Sequence, residues 1–193
     1  IPFPKTVLIP KTDLTSNPKV WPIIRSDFLF CGPFTKYRGL MLFLCHPFAQ
    51  LSVDQLYAIL SLRAEIFVVE QRCIYLDTDG KDQDSWHLMG FDEGRLVAYT
   101  RLVPQGLAYP EAASIGRVVV ALDQRGKGLG KALMEESVRR CRDLFGPSDL
   151  KISAQWHLEA FYRDLGFEPT GQRYLEDGLP HQAMVRRDAS PSS

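Results

Sequence analysis

From Met41 onward, apolar and polar positions follow the pattern of an alternating α/β chain. Leu42–His46 is a short apolar run that predicts a strand. Ser52-Val53-Asp54-Gln55 has the form of a capping box, with Leu51 and Leu56 at staple positions around it, so a helix should open at Ser52. Val53, Leu56, Tyr57, Leu60 and Ala64 would form its apolar face. The charged stretch 77–84 is expected to be polar loop. Trp86–Phe91 and Leu96–Val103 predict two strands, joined by the hairpin turn Asp92-Glu93-Gly94-Arg95. A further strand, Ser114–Ala121, ends in Val118-Val119-Val120, a run suited to burial on both faces. A helix over about Leu129–Phe145, a strand at Leu150–Gln155 and a short helix over about His157–Leu165 follow. Gly166 suits the left-handed position that ends a helix. The turn Glu176-Asp177-Gly178-Leu179-Pro180 predicts a closing hairpin.

Residues 1–40 break this pattern. They hold six of the thirteen prolines, and no helical or alternating period survives between them. Their charges are six basic and two acidic, which leaves 17 basic and 21 acidic groups in 41–193. The first methionine is Met41. We read 1–40 as a Pro-rich extension outside a single domain spanning 41–193, or as translated upstream sequence, rather than as an ordered arm on the core.

Composition narrows the class of protein. The chain has 193 residues, 45% hydrophobic and 24% charged, which fits one globular domain with a real core. Its formal net charge is zero, so neither a nucleic acid nor an anionic membrane is expected as partner, and anion binding must be local. Cys31, Cys45, Cys73 and Cys141 are widely separated, with no CxxC pair and no His at metal-ligand spacing. That predicts a reduced, cytoplasmic protein with no metal site. No apolar run approaches the ~18–20 residues that span a bilayer, and no secretory signal pattern is present.

Local anion chemistry is concentrated at one place. Val118-Val119-Val120 leads into Arg125-Gly126-Lys127-Gly128-Leu129-Gly130-Lys131, and then into a helix. Glycine lets the backbone turn tightly and approach a ligand. The helix N-terminus offers free N–H groups and the positive end of a dipole, a setting suited to a pyrophosphate. A P-loop would need Gly where Arg125 stands and Ser or Thr where Ala132 stands. A dinucleotide fingerprint would need Gly-x-Gly-x-x-Gly, whereas the spacing here is Gly126-x-Gly128-x-Gly130. A third pattern, Arg/Gln-x-x-Gly-x-Gly, is met by Arg125, Gly128 and Gly130.

Downstream lies Phe161-Tyr162-Arg163-Asp164-Leu165-Gly166-Phe167. With the Gly-rich turn, this combination resembles the GNAT acetyltransferases. It is more similar still to their ElaA-like group through Phe67-Val68-Val69-Glu70-Gln71, Asp79-Gly80-Lys81-Asp82, Ile115-Gly116-Arg117-Val118, Ala154-Gln155 and Glu176-Asp177-Gly178-Leu179-Pro180-His181. The resemblance covers about 41–187 and implies a GNAT-type mixed central sheet flanked by helices. It further implies acetyl-CoA as co-substrate, with the backbone of Val118, Val119 and Val120 pairing with the pantetheine arm. Gly126, Lys127, Gly128, Leu129, Gly130 and Lys131 would hold the pyrophosphate beside Arg125. Gln155 stands where many members carry Asn against the cofactor.

The implied activity is direct transfer of acetyl from acetyl-CoA to a primary amine in a ternary complex. An alkyl amine of pKa ~10.4 is almost wholly protonated at pH 7, so freeing it costs about 4–5 kcal/mol. Tyr162 is the candidate proton donor to the leaving sulfur, and Val118–Val120 amides are candidates for the oxyanion. Glu70, His87 and His181 are candidate bases, although a water relay could replace them. Arg117, and more weakly Arg63, are candidates for an anionic substrate group. The acceptor stays open among amino acids, polyamines, aminosugars and protein N-termini, and homodimerisation stays open too. The alternative is a GNAT-fold sensor or scaffold that binds acyl-CoA without turnover.

Overall fold

The computed structural model describes residues 41–188. The expected extension 1–40, its boundary and Cys31 lie outside these residues. Seven strands form one sheet: β1 (Leu42–Pro47), β2 (Trp86–Asp92), β3 (Arg95–Val103), β4 (Ala113–Val120), β5 (Leu150–Gln155), β6 (Glu168–Glu176) and β7 (Leu179–Arg186). Their order is β1-β2-β3-β4-β5-β7-β6. All neighbours run antiparallel except β4 and β5, which are parallel. The helices are α1 (Val53–Arg63), α2 (Leu129–Phe145) and α3 (Glu159–Arg163). This is the expected mixed sheet flanked by helices.

Strand alternation decides which helix covers which face. Thr100 of β3 meets Ser137 of α2 at 2.8 Å, so α2 lies on the face shared by Ala98, Thr100 and Leu102. The Arg63 guanidinium of α1 lies over the Tyr99 ring at 5.9 Å, so α1 covers the face of Val97, Tyr99 and Arg101. Central β2 and β3 are therefore buried on both sides. Leu88, Met89, Leu102, Leu133 and Met184 are fully buried. Each such side chain stabilises the fold by roughly 1.5–3 kcal/mol.

The ends of the elements follow their local chemistry. Ser52 accepts from the Gln55 N–H at 3.1 Å, and the Gln55 side chain accepts from the Ser52 N–H at 3.0 Å, closing the expected capping box. The β2–β3 turn places Glu93 and Gly94 at φ 48° and 82°, the twist that a two-residue hairpin requires. Gly166 sits at φ 84° after α3.

Two expectations need correction. In α1 the buried face is Ile59, Leu62 and Arg63, continued by Ile66 just beyond it, while Val53, Tyr57 and Ala64 are exposed. The helix carries two apolar stripes, and the sheet takes the one centred on a charged residue because that charge finds partners below it. Beyond Arg63 the helix widens into a π-helical stretch, Ala64–Glu70. The run Val118–Val120 is not buried on both faces, since only Val119 is buried.

The last correction has a cause in the sheet. β4 pairs with β5 only at Ala113 opposite Leu150 and Ser114 opposite Lys151, and beyond that the edge of β4 is released. On its other side, Tyr99 faces Val119 and Arg101 faces Gly116, so Arg117 and Val118 together oppose Thr100 in a bulge. Arg117 there adopts φ 53°. A non-glycine residue in that region costs about 1–3 kcal/mol unless its surroundings hold it.

Candidate active site

Between the released edge of β4 and β5 opens a cleft of about 1060 Å³. One wall is β4 from Ser114 to Val120, and the opposite wall is Ile152, Ser153 and Gln155 of β5. Ala121 N–H bonds back to Val97 of β3 at 2.8 Å, so alternation turns the N–H and C=O of Val120 toward the cleft.

The Gly-rich turn closes one end. Gly126 and Gly128 adopt φ 75° and 81°, and a Cβ built on either would meet nothing within 4 Å. Both line the cleft, and no neighbour packs against the position a Cβ would take. Gly128 is the N-cap of the 17-residue helix α2, and no acidic residue stands in its first turn. Gly130 serves packing instead, with Phe161 and Val120 atoms 3.8 and 3.9 Å from where a Cβ would stand.

The charged side chains of this turn are arranged otherwise than expected. Arg125 donates to both Glu70 carboxylate oxygens at 2.7 and 2.8 Å and, through Nε, to Val120 C=O at 3.1 Å. Its guanidinium is thus engaged, and Glu70 is a brace across the cleft rather than a free base. The π-helical widening carries Glu70 and Gln71 to this position. Lys127 folds back onto Asp123 C=O and Gln124 Oε1, at 3.0 and 3.1 Å. Leu129 is buried in the core. Lys131 lines the cleft, with Glu135 at 3.9 Å.

Tyr162 of α3 also lines the cleft and is only 6% exposed. Its ring meets Phe161 and Phe167 edge-on at 5.1 and 6.1 Å, and burial pushes its pKa up to about 12. Gln155 is in the same cleft and donates to Gln71 at 3.2 Å. His181 of β7 lines it as well, opposite Gln155 in the sheet register.

His87 does not reach the cleft. It is fully buried, with Nδ1 on the Tyr99 hydroxyl at 2.8 Å and Nε2 on Asp82 C=O at 3.0 Å. Burial foremost lowers its pKa. With both nitrogens occupied it is a core histidine, not a base for an incoming amine.

Arg117 does line the cleft, but its guanidinium is engaged within the protein. Its Nε donates to Asp77 at 2.8 Å and its Nη2 to Asp77 C=O at 3.0 Å. It belongs to a block of three arginines and three aspartates. Arg63 bonds Asp77 at 2.7 Å and Asp82 at 2.9 Å. Arg101 bonds Asp79 at 2.6 and 2.7 Å and Asp82 at 2.8 Å. Arg63 is 0% exposed and therefore binds no substrate. Burial alone would raise the Asp82 pKa, but Arg63 and Arg101 hold it below the ordinary carboxylate value. The stretch 77–84, read from sequence as polar loop, is thus a clamp. It pins the bulged strand to α1 and offsets the strain at Arg117.

Sequence reading also passed over Ser153, Tyr174 and Glu176. Tyr174 donates to Ser153 at 2.7 Å, and Ser153 donates to Glu176. The period-two alternation of β5 and β6 could have aligned them, had the order of β5, β7 and β6 been known.

A released strand edge, a glycine turn at a helix N-terminus and a buried tyrosine thus meet in one cleft. Residues 67–187 match the acetyltransferase (GNAT) domain family, and the chain belongs to that family. Within it, the chain is 41% identical to protein ElaA of Escherichia coli over 140 residues, covering 72% of this chain and 91% of ElaA. The crystal structure of Escherichia coli ElaA superposes with a TM-score of 0.72 at 39% identity, covering 77% of this chain and 100% of that one. An acyl-CoA N-acyltransferase structure from Pseudomonas aeruginosa has 41% identity and a TM-score of 0.72, covering 76% and 99%. Among the described residues no helix is long and apolar enough to cross a membrane.

Proposed function

We propose that this protein is an acetyl-CoA-dependent N-acetyltransferase that moves the acetyl group directly to a primary amine of a small molecule or peptide. The observation that carries this reading is the meeting of three features in one cleft: the released edge of β4, the open cradle at Gly126 and Gly128, and Tyr162. Acetyl-CoA supplies the activated thioester. The cradle amides and Lys131 hold its pyrophosphate, and the outward N–H and C=O groups of β4 take the pantetheine as an added strand. An amide beside the Arg117–Val118 bulge faces the carbonyl oxygen as charge develops there.

Tyr162 attends the leaving sulfur. A phenol at about 12 keeps its proton throughout the neutral range. Full transfer to a free thiolate of pKa ~8.5 would be uphill. The hydroxyl therefore acts first as a hydrogen-bond donor and gives up its proton only as far as the cleft desolvates the sulfur. An acid of this kind contributes at the lower end of the usual ~10²–10⁴-fold range.

The test is thiol release from acetyl-CoA across a panel of amino acids, diamines, aminosugars and peptide N-termini, with the acetylated product identified by mass. Tight acetyl-CoA binding without release for any amine would favour the sensor reading.

A further inference from the structure

We infer that His181 Nε2 is the general base of the reaction, with its ring aligned by Leu179 and by a Tyr174–Ser153–Glu176 hydrogen-bond chain. The inference rests on the transferase reading above and adds the group that frees the amine.

Two of the carboxylates that line the cleft are committed: both oxygens of Glu70 are held by Arg125, and both oxygens of Asp79 by Arg101. His181 differs, because Leu179 C=O lies 2.9 Å from its Nδ1 and a carbonyl can only accept. Nδ1 must therefore carry the hydrogen, and in the neutral ring the lone pair is on Nε2. No described residue hydrogen-bonds to that nitrogen. An imidazole whose Nδ1–H is fixed by a carbonyl has its Nε2 poised to take a proton.

Strand alternation brings the support together. Tyr174 of β6 is directly opposite His181 of β7, and His181 is directly opposite Gln155 of β5. Ser153 shares a face with Gln155, and Glu176 with Tyr174. The Tyr174 and His181 rings stack at 6.4 Å with 17° between their planes. The tyrosine is in turn anchored by its hydroxyl on Ser153, which donates to Glu176. Tyr174 of β6 stacks on this ring, and Glu176, Asp177, His157 and Cys73 share the cleft with it, the Cys73 thiol donating to Asp177 C=O at 3.2 Å. Tyr109, beside Tyr174 and Glu176, carries Lys151 over its own ring.

The proton count closes. An ammonium loses two protons on becoming an amide. The first passes to His181 Nε2 and on to water, freeing the lone pair that forms the C–N bond to the thioester carbon. The second leaves the tetrahedral intermediate by the same nitrogen as the C–S bond breaks and its electron pair departs on sulfur. The thiolate takes one proton from Tyr162, which water restores. One ammonium and one thioester give one amide, one thiol and one proton.

His181→Asn should bind acetyl-CoA as tightly as the unsubstituted protein, by calorimetry, while kcat with the best amine of the panel falls by about 10²-fold near pH 7. That loss should shrink as pH rises toward the amine pKa, and added imidazole should partly restore turnover in His181→Gly. Tyr174→Phe keeps the stack and removes the hydroxyl anchor, so it should lower kcat by less than His181→Asn does while KM and cofactor affinity stay unchanged. Nitrogen NMR of His181 gives a readout independent of turnover and should find the hydrogen on Nδ1. A hydrogen on Nε2 in the neutral ring would overturn the inference, as would an unchanged acid limb in His181→Asn. If no amine in the panel is acetylated, the transferase reading fails, and the base assignment falls with it whatever the tautomer.

Discussion

The two ends of the cleft are held by opposite means. At the α2 end the wall is main chain: Gly126 and Gly128 at positive φ, the first amides of α2, and the released edge of β4. Beneath the β4 bulge the support is side chain, with three arginines and three aspartates gathered from α1, the 77–82 segment, β3 and β4. A main-chain cradle is set by which residues tolerate a left-handed turn. An ion-pair block is set by what the fold brings together, and each member depends on the others to justify its burial. The first is proposed to bind a ligand without moving, and the second holds the bulged strand in place.

The sharpest way to break this contrast is to remove one shared carboxylate. Asp82 Oδ1 accepts from both Arg63 and Arg101, so Asp82→Ala leaves two buried guanidinium groups short of a partner. The expected loss is about 3–5 kcal/mol, because a broken buried pair leaves uncompensated charge. For a domain of this size that corresponds to a melting temperature about 10 °C lower. The pH response supports the same point. The folded Asp82 pKa lies below its unfolded value, so its contribution is full above the unfolded carboxylate pKa and is lost as pH falls through the folded one. The acid limb of melting temperature against pH should therefore be steeper in the unsubstituted protein than in Asp82→Asn.

The opposite end should respond to shape with little change in stability of the core. Gly128→Val forces a β-branched residue to a positive φ and fills the cradle, and should remove detectable acetyl-CoA binding in calorimetry. Gly128→Asn tolerates the left-handed region and should retain part of the affinity. Equal affinity for both variants would remove the turn from the binding site.

Tyr162→Phe probes the middle of the cleft. The ring and its contacts with Phe161 and Phe167 stay, so cofactor affinity should hold while kcat falls by about 10²-fold. Equal falls in kcat and kcat/KM would mark a group acting in the transition state alone. Unchanged single-turnover rates would return Tyr162 to a packing role. The smallest effect is expected from a chain begun at Met41, whose melting temperature and acetyl-CoA affinity should match those of the full chain. A large drop in melting temperature would show that 1–40 contributes to the fold.

Much of the architecture was legible because its signals are local. The capping box at Ser52, the Glu93-Gly94 turn, the helix Leu129–Phe145 and the strand Leu150–Gln155 each depend on a few adjacent residues. The glycine spacing at 126–130 likewise specifies its own backbone. The α1 face was misread because counting apolar residues discards Arg63, the residue around which the buried stripe is built.

What the sequence determined by itself is therefore most of the elements, the glycine turn and the family resemblance, all of which are encoded within short windows. The tertiary structure decided the partners of each ionisable group: Arg125 against Glu70, Arg117 against Asp77, His87 sealed in the core and His181 Nδ1 on Leu179 C=O. Those partners are 12 to 55 positions apart along the chain where they are side chains. An ionisable group takes its role from its neighbours' charge and from its distance to water. Both are properties of the packed sheet, where β4 parts from β5, and not of any stretch of sequence.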